Sequence, residues 1–269
     1  MIQSFLQVLL PVFLVVALGY LLTAKKVIIV NHIDGILNFT QTILIPIYLF
    51  LNILKIDLSL NFDLRVLLSY YFGSLVCFVL GTLFAYRLLG LTKSEAIVAG
   101  FSVMFSNAVL LGLPITELVY GSDALGPNLM LVATQAPFCY LVGITTMEIS
   151  GSTKSGFITT TTNILKAIFS NNITVSIFFG IVCNVLNIII PEIIFQSLSF
   201  LSEGAVPIAL FGLGGILTTF KFNNAVSTIM MIIILSLIFH PLLTLFSLSN
   251  FDSNLTAVSK GVVITAAMA

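Results

Sequence analysis

The sequence predicts an all-α membrane protein built from two inverted five-helix repeats. Three observations carry the prediction: composition, the length and spacing of the apolar runs, and one constant offset that relates two pairs of those runs. Of 269 residues, 59% are apolar and only 7% charged, whereas a soluble domain carries about a quarter charged residues. So few charged side chains cannot give a chain of this size a polar shell, so most of its exterior must face lipid. Ten basic residues balance ten acidic ones, which offers nothing to nucleic acid.

Nine apolar segments follow one another: Phe5–Leu22, Gly35–Leu54, Val66–Leu89, Ala96–Tyr120, Leu125–Ile149, Ile173–Ile190, Ile193–Thr219, Val226–Leu248 and Leu255–Ala269. At about 1.5 Å of rise per residue, all but the last, which is short, are about long enough to cross roughly 30 Å of hydrocarbon. The first lacks a basic region before it and a small-residue cleavage site after it, so it reads as a retained helix. Cys77, Cys139 and Cys183 each lie in an apolar run and read as buried thiols, not as disulfides or metal ligands.

Basic residues alternate between the two sides of the membrane. Lys25, Lys26, Arg87, Lys93, Lys154, Lys166 and Lys221 fall on one side; Lys55 and Arg65 fall on the other, with Asp57, Asp63, Glu117, Asp123, Glu192 and Asp252. The basic side is therefore predicted to be cytoplasmic, which puts the N-terminus outside.

The repeat shows in Pro46-Ile47-Tyr48-Leu49-Phe50, which recurs as Pro207-Ile208-Ala209-Leu210-Phe211, a shift of 207 minus 46, or 161 residues. The same shift carries Gly19 onto Gly180. An odd number of spans separates the copies, so the second enters the membrane with opposite polarity. Residues 1–149 are then the first repeat, 150–170 a cytoplasmic linker, and 171–269 a second repeat expected to be cut within its ninth span.

Transporters of this construction bind substrate where helices are interrupted at mid-membrane, because freed backbone groups supply polarity without a buried charge. Span four is the strongest candidate. It reads Phe105-Ser106-Asn107-Ala108-Val109-Leu110-Leu111-Gly112-Leu113-Pro114, and Pro114 lacks the N–H that would bond the Leu110 carbonyl. Asn107, Gly112 and Pro114 are the expected substrate residues. The other reading is a proline kink, with Asn107 bonding a neighbouring helix.

Span two carries Gln41 and Thr42 just before Pro46, and span seven carries Glu203 four residues before Pro207. Pro46 and Pro207 are expected helix breaks, Gln41 and Thr42 additional substrate contacts. Glu203 is a candidate for a coupling proton or cation, or a protonated packing residue. Gln135, beside Pro137, is expected to interrupt span five and support the site. His240, followed by Pro241, reads as a packed neutral imidazole, and Lys260 as a residue snorkelling to the interface.

These residues resemble the auxin efflux carrier family of membrane transporters, the plant PIN carriers and bacterial permeases. The likeness rests on Phe105-Ser106-Asn107 with Gly112-Leu113-Pro114, on Ile45 to Phe50, on Val206 to Phe211 with Gly214, and on Ala266-Ala267-Met268. The resemblance implies ten helices in two inverted five-helix repeats, with the fourth and ninth interrupted at prolines and crossing near the substrate. It also implies export or exchange of small organic anions, dicarboxylate or auxin-like, and a homodimer in the cell membrane. In that family the Ala-Ala-Met stretch continues into proline and a tenth helix, beyond Ala269 of this sequence. Two distant histidines, with no nucleophile, paired carboxylates or metal cluster, argue against an enzyme, a metal or a cofactor. Scattered polar positions argue against a continuous pore. The alternative from another class is a non-transporting membrane sensor with a transporter-like fold.

Overall fold

The computed structural model describes residues 2–55, 63–121, 125–151, 161–162, 165–166, 168–220, 226–251 and 257–267. Most of the predicted linker, with Lys154, Lys221, Asp57, Asp123 and Asp252, lies outside the described residues, as does the side chain of Lys260.

Every regular element among the described residues is helical. In chain order they are α1 (Ile2–Ala24), α2 (Val30–Phe39), α3 (Ile45–Lys55), α4 (Leu64–Arg87), α5 (Lys93–Met104), α6 (Leu113–Tyr120), α7 (Leu125–Ile149), α8 (Asn172–Val185), α9 (Glu192–Glu203), α10 (Ala205–Ile216), α11 (Val226–Ile234), α12 (His240–Phe251) and α13 (Ala257–Ala266). Taken with the short turns between them, they reproduce the nine predicted spans in order. Five continuous stretches are long and apolar enough to cross a membrane: Val30–Lys55, Leu64–Arg87, Leu125–Ile149, Glu192–Thr219 and Val226–Asn250.

Side-chain placement in α4 shows why lipid is the solvent. Leu68, Phe72, Leu75, Val79 and Leu83 are exposed at spacings of three and four residues, while the buried residues include Val66, Leu67, Tyr70 and Phe78 but are mostly small or polar: Ser69, Gly73, Ser74, Cys77, Gly81 and Ala85. A helix with large apolar groups outward and small or polar groups inward is the reverse of a water-facing helix, and packs closely in a membrane.

Three π turns share one cause. Thr40–Leu44, Ala108–Gly112 and Leu235–Phe239 each run into an α-helix whose second residue is proline: Pro46, Pro114 and Pro241. Proline has no N–H for the preceding turn and its ring crowds the carbonyl there, so the ladder widens just upstream. At Pro207 the same conflict is met differently. Helix α9 ends at Glu203, Gly204 turns, and α10 starts at Ala205, which leaves Pro207 in the first turn of a new helix, where its missing N–H costs little. Pro137, by contrast, does not interrupt span five: α7 runs unbroken from Leu125 to Ile149 with Pro137 inside it. One lost bond in a long helix is tolerated when the rest of its ladder stays intact. Cys77 and Cys139 are buried as expected, whereas Cys183 is only half-buried.

Contacts divide the chain into two units, residues 1–56 with 171–221 and residues 57–170 with 222–269. In the first, α1 packs on α10 and α8 packs on α3. Both pairings close around glycine. A Cβ on Gly19 would stand 2.0 Å from the Phe211 carbonyl oxygen, and one on Gly180 would stand 3.4 Å from the Phe50 carbonyl oxygen. Positions 19 and 180 differ by 161, as do 50 and 211. Asn184 reinforces the second pairing by donating to the carbonyls of Ile53 at 2.8 Å and Leu54 at 3.1 Å. In the second unit, α4 packs on α5 and α12, and α13 packs on α6, α7 and α12.

Candidate functional site

The second unit holds the deepest interruption. Helix α5 begins with a capping box, in which the Thr92 hydroxyl accepts from the Glu95 amide while Glu95 accepts from the Thr92 amide at 2.9 Å and its hydroxyl at 2.7 Å. The exposed Glu95 carboxyl is held below its ordinary 4.5, first by the Thr92 hydroxyl and then by the Thr92 backbone. The helix stops at Met104, and Phe105 turns to extended backbone. Phe105, Ser106 and Asn107 are non-helical, and the chain resumes as the π turn Ala108–Gly112 and α6. The Asn107 carbonyl accepts from the amides of Leu111 at 3.3 Å and Gly112 at 3.1 Å, which starts the new helical segment.

The break thus opens about two turns earlier than the Gly112-Leu113-Pro114 stretch to which the sequence pointed. The conflict at Pro114 is absorbed by the π turn, and the helix parts where Ser106 finds side-chain partners instead of helical ones. Ser106 is buried, and its hydroxyl pairs with the Tyr70 hydroxyl. Gln135 donates to the Ser106 carbonyl at 2.8 Å and to its hydroxyl at 3.2 Å. Gln135 therefore supports the break through hydrogen bonds from an intact helix. Ser74 adds a bond to the Met104 carbonyl at 3.3 Å, which satisfies the end of α5. Asn107 itself is half-buried, next to this network.

Helix α13 covers the downstream half of the break. A Cβ on Gly112 would stand 3.0 Å from Thr265 Oγ1, and one on Gly261 would stand 2.9 Å from Thr116 Cγ2. The order of the contacts, 112 with 265 and 116 with 261, is antiparallel. Asn128 locks the arrangement by donating to the Thr116 hydroxyl at 2.6 Å, both side chains being buried. Thus the fourth and ninth spans meet directly at Gly112.

The remaining candidates lie in the first unit. Gln41 and Thr42 are exposed, and Thr42 donates to Asn38 Oδ1 at 3.2 Å while its carbonyl accepts from Asn172 at 3.3 Å. Pro46 is buried, Pro207 exposed, and Glu203 is exposed at the end of α9. No group of three or more potential metal-ligating His, Cys, Asp or Glu residues occurs among the described residues.

Tyr70, Thr116 and Asn128 were not singled out from the sequence, and Ser106 entered only as part of the Phe105-Ser106-Asn107 motif. The one available signal was a polar side chain inside an apolar run, as with Asn128 after Gly126-Pro127. That signal does not say which partner the side chain meets.

Apolar helix exteriors, proline-linked interruptions and a buried polar network around a broken span mark a polytopic membrane protein. A family of membrane transport proteins matches residues 4–269. The chain belongs to it, and so to the auxin efflux carrier, PIN-like family that its motifs resemble. No curated protein matches the chain.

Proposed function

We propose that the chain moves a small organic anion, a dicarboxylate or an auxin-like carboxylate, across the cell membrane by alternating access. One observation carries the reading: span four is broken at Phe105–Asn107 inside the second unit and the break is held by buried side-chain hydrogen bonds. The amides that open the segment from Ala108 onward have no preceding helical carbonyls to bond, and with the helix dipole they favour a carboxylate without a lysine or arginine. In this reading Asn107 adds a side-chain amide to the anion. Gly112 lets α13 approach, and Pro114 sets the π turn Ala108–Gly112 that follows the break. Gln41 and Thr42 are proposed as further polar contacts for the substrate.

Alternating access needs two groups of helices that move against each other, and the division of the chain into two contact units supports that reading. The Gly19–Phe211 and Gly180–Phe50 pairings, related by the 161-residue offset, support an inverted duplication as the origin of this arrangement. Transport is tested with the full chain in liposomes, using radiolabelled succinate and indoleacetate as probes. The account expects counterflow of one of them above protein-free liposomes. Counterflow of neither would remove the anion-transport reading and favour a sensor.

The charge alternation supports an outside N-terminus. With native cysteines replaced, a cysteine at exposed Lys93 should label only from the cytoplasm and one at exposed Asp63 only from outside. The opposite pattern would reverse the orientation.

A further inference from the structure

The seam between α4 and α12 in the second unit holds a buried polar cluster that the anion site leaves unused. Ser69, Gly73 and Cys77 of α4 share one face. Ser247 donates to the Ser69 hydroxyl at 3.2 Å, and the Cys77 thiol donates to the Leu235 carbonyl at 3.7 Å. Between them Gly73 makes room for two polar side chains: a Cβ there would stand 2.9 Å from Thr244 Oγ1 and 3.2 Å from His240 Cδ2. His240 and Thr244 are completely buried. The Tyr70 backbone comes near the imidazole, yet neither ring nitrogen, nor the Thr244 hydroxyl, reaches hydrogen-bond geometry with any partner.

An imidazole left in this condition needs a reason. Its neutral form carries one N–H donor and one lone pair, and in an apolar interior both are costly to leave unpaired. A phenylalanine or leucine would occupy similar space without that cost. The repeat does not explain it either. Subtracting 161 takes His240 to Val79, and takes the π turn Leu235–Phe239 to residues 74–78, inside the unbroken helix α4. The turn, the proline and the histidine are therefore peculiar to the second copy.

His240 is also connected to the break. Its ring lies 4.9 Å from that of Tyr70, tilted by 56°, and the Tyr70 hydroxyl pairs with Ser106. A positive charge on the imidazole would act on the Tyr70 ring, and through its hydroxyl on Ser106. The titratable groups facing this seam are few. Helix α4 brings Tyr70 and Cys77, while Tyr71 turns to Thr134. Helix α11 and the π turn bring none, and α13 carries Lys260, whose side chain lies outside the described residues. No carboxylate occurs on α4, α11, the π turn, α12 or α13.

We propose that His240 is the proton-binding site that couples transport to the pH gradient. When the seam is closed, as here, no carboxylate on the surrounding helices faces the imidazole to hold a second N–H. When the cycle opens the seam to water, a ring nitrogen takes up one proton, which is released on the opposite side after the unit closes and reopens. Protonation is felt at the anion site through Tyr70 and Ser106. The proposal rests on the transport reading above, and it places the coupling group in the unit with the broken helix rather than at the exposed Glu203.

Two measurements on the full chain test it. In liposomes with an imposed pH gradient and clamped membrane potential, uptake of radiolabelled succinate or indoleacetate should be driven by the gradient. His240→Gln should lose at least tenfold of that drive, and its counterflow should no longer vary with pH. Retained gradient-driven uptake in His240→Gln, or its loss in Glu203→Gln but not in His240→Gln, would overturn the proposal. The second measurement keeps His240 in place. The chain has two histidines, so His32→Gln leaves one imidazole for nitrogen NMR with isotope-labelled histidine, scanned from about pH 5 to about pH 8. An imidazolium signal that grows as pH falls sustains proton binding at His240, even if neither anion is transported and the anion reading alone fails. A neutral signal unchanged over that window, with and without succinate and indoleacetate, overturns it.

Discussion

The two contact units spend their polar residues differently. In the first, helices meet backbone to backbone: Gly19 against the Phe211 carbonyl, Gly214 against the Val16 carbonyl, where an added Cβ would stand 1.9 Å from the oxygen. Its conspicuous polar residues, Gln41, Thr42 and Glu203, are exposed. In the second unit Tyr70, Ser106, Gln135, Thr116, Asn128, His240, Thr244, Ser69 and Ser247 are all buried. Close apolar packing makes a stiff frame because it has one good arrangement. Buried polar networks are costly unless satisfied, so a unit that keeps so many is where we propose the ligand chemistry.

The sharpest way to break this comparison is to spoil the packing of the first unit. In Gly19→Ala the new methyl would overlap a backbone oxygen, which cannot rotate away, so we expect a loss of about 3 kcal/mol in thermal unfolding. Gly180→Ala meets the movable side chain of Ile53 at 3.1 Å, and the better helix propensity of alanine offsets that contact, leaving a change of about 1 kcal/mol or less. Gly35→Ala meets nothing within 4 Å and should be neutral or slightly stabilising. Equal effects at positions 19 and 35 would show that the α1–α10 contact is not tight.

A smaller effect sharpens the view of the second unit. The capping box that starts α5 holds the Glu95 carboxyl below its ordinary 4.5, so its contribution is present above about that value and lost as pH falls through the lower folded one. The melting temperature should therefore decline in acid by a small margin that Glu95→Gln removes. An acid decline of unchanged size in the variant would assign it to other groups.

Much of this fold was legible in the sequence because lipid imposes a simple rule. Apolar runs of spanning length must be helices, and the predicted bounds of span five, Leu125–Ile149, coincide with those of α7. The position of the break was less legible. Pro114 suggested a parting beside Gly112, but a π turn absorbs a missing N–H, and the parting at Phe105–Asn107 depends on Tyr70 and Gln135 reaching Ser106 from other helices. The contact units were not legible either: the repeats expected from the sequence divide the chain along its length, whereas α1 packs on α10 and α8 on α3. Pairing across the chain leaves no periodic trace in any one segment.

If the break in the second unit binds the anion, as proposed, anion affinity in an Asn107 variant will show it. A hydrogen bond to a charged ligand contributes about 1.5–3 kcal/mol, so Asn107→Ala should weaken binding of the transported probe by roughly tenfold to a hundredfold. Asn250→Ala, which removes an exposed amide that donates to the Phe246 carbonyl at 2.9 Å, should bind as the unaltered chain does. If Asn107→Ala binds the anion normally and loses only thermal stability, the residue joins helices and the site lies elsewhere.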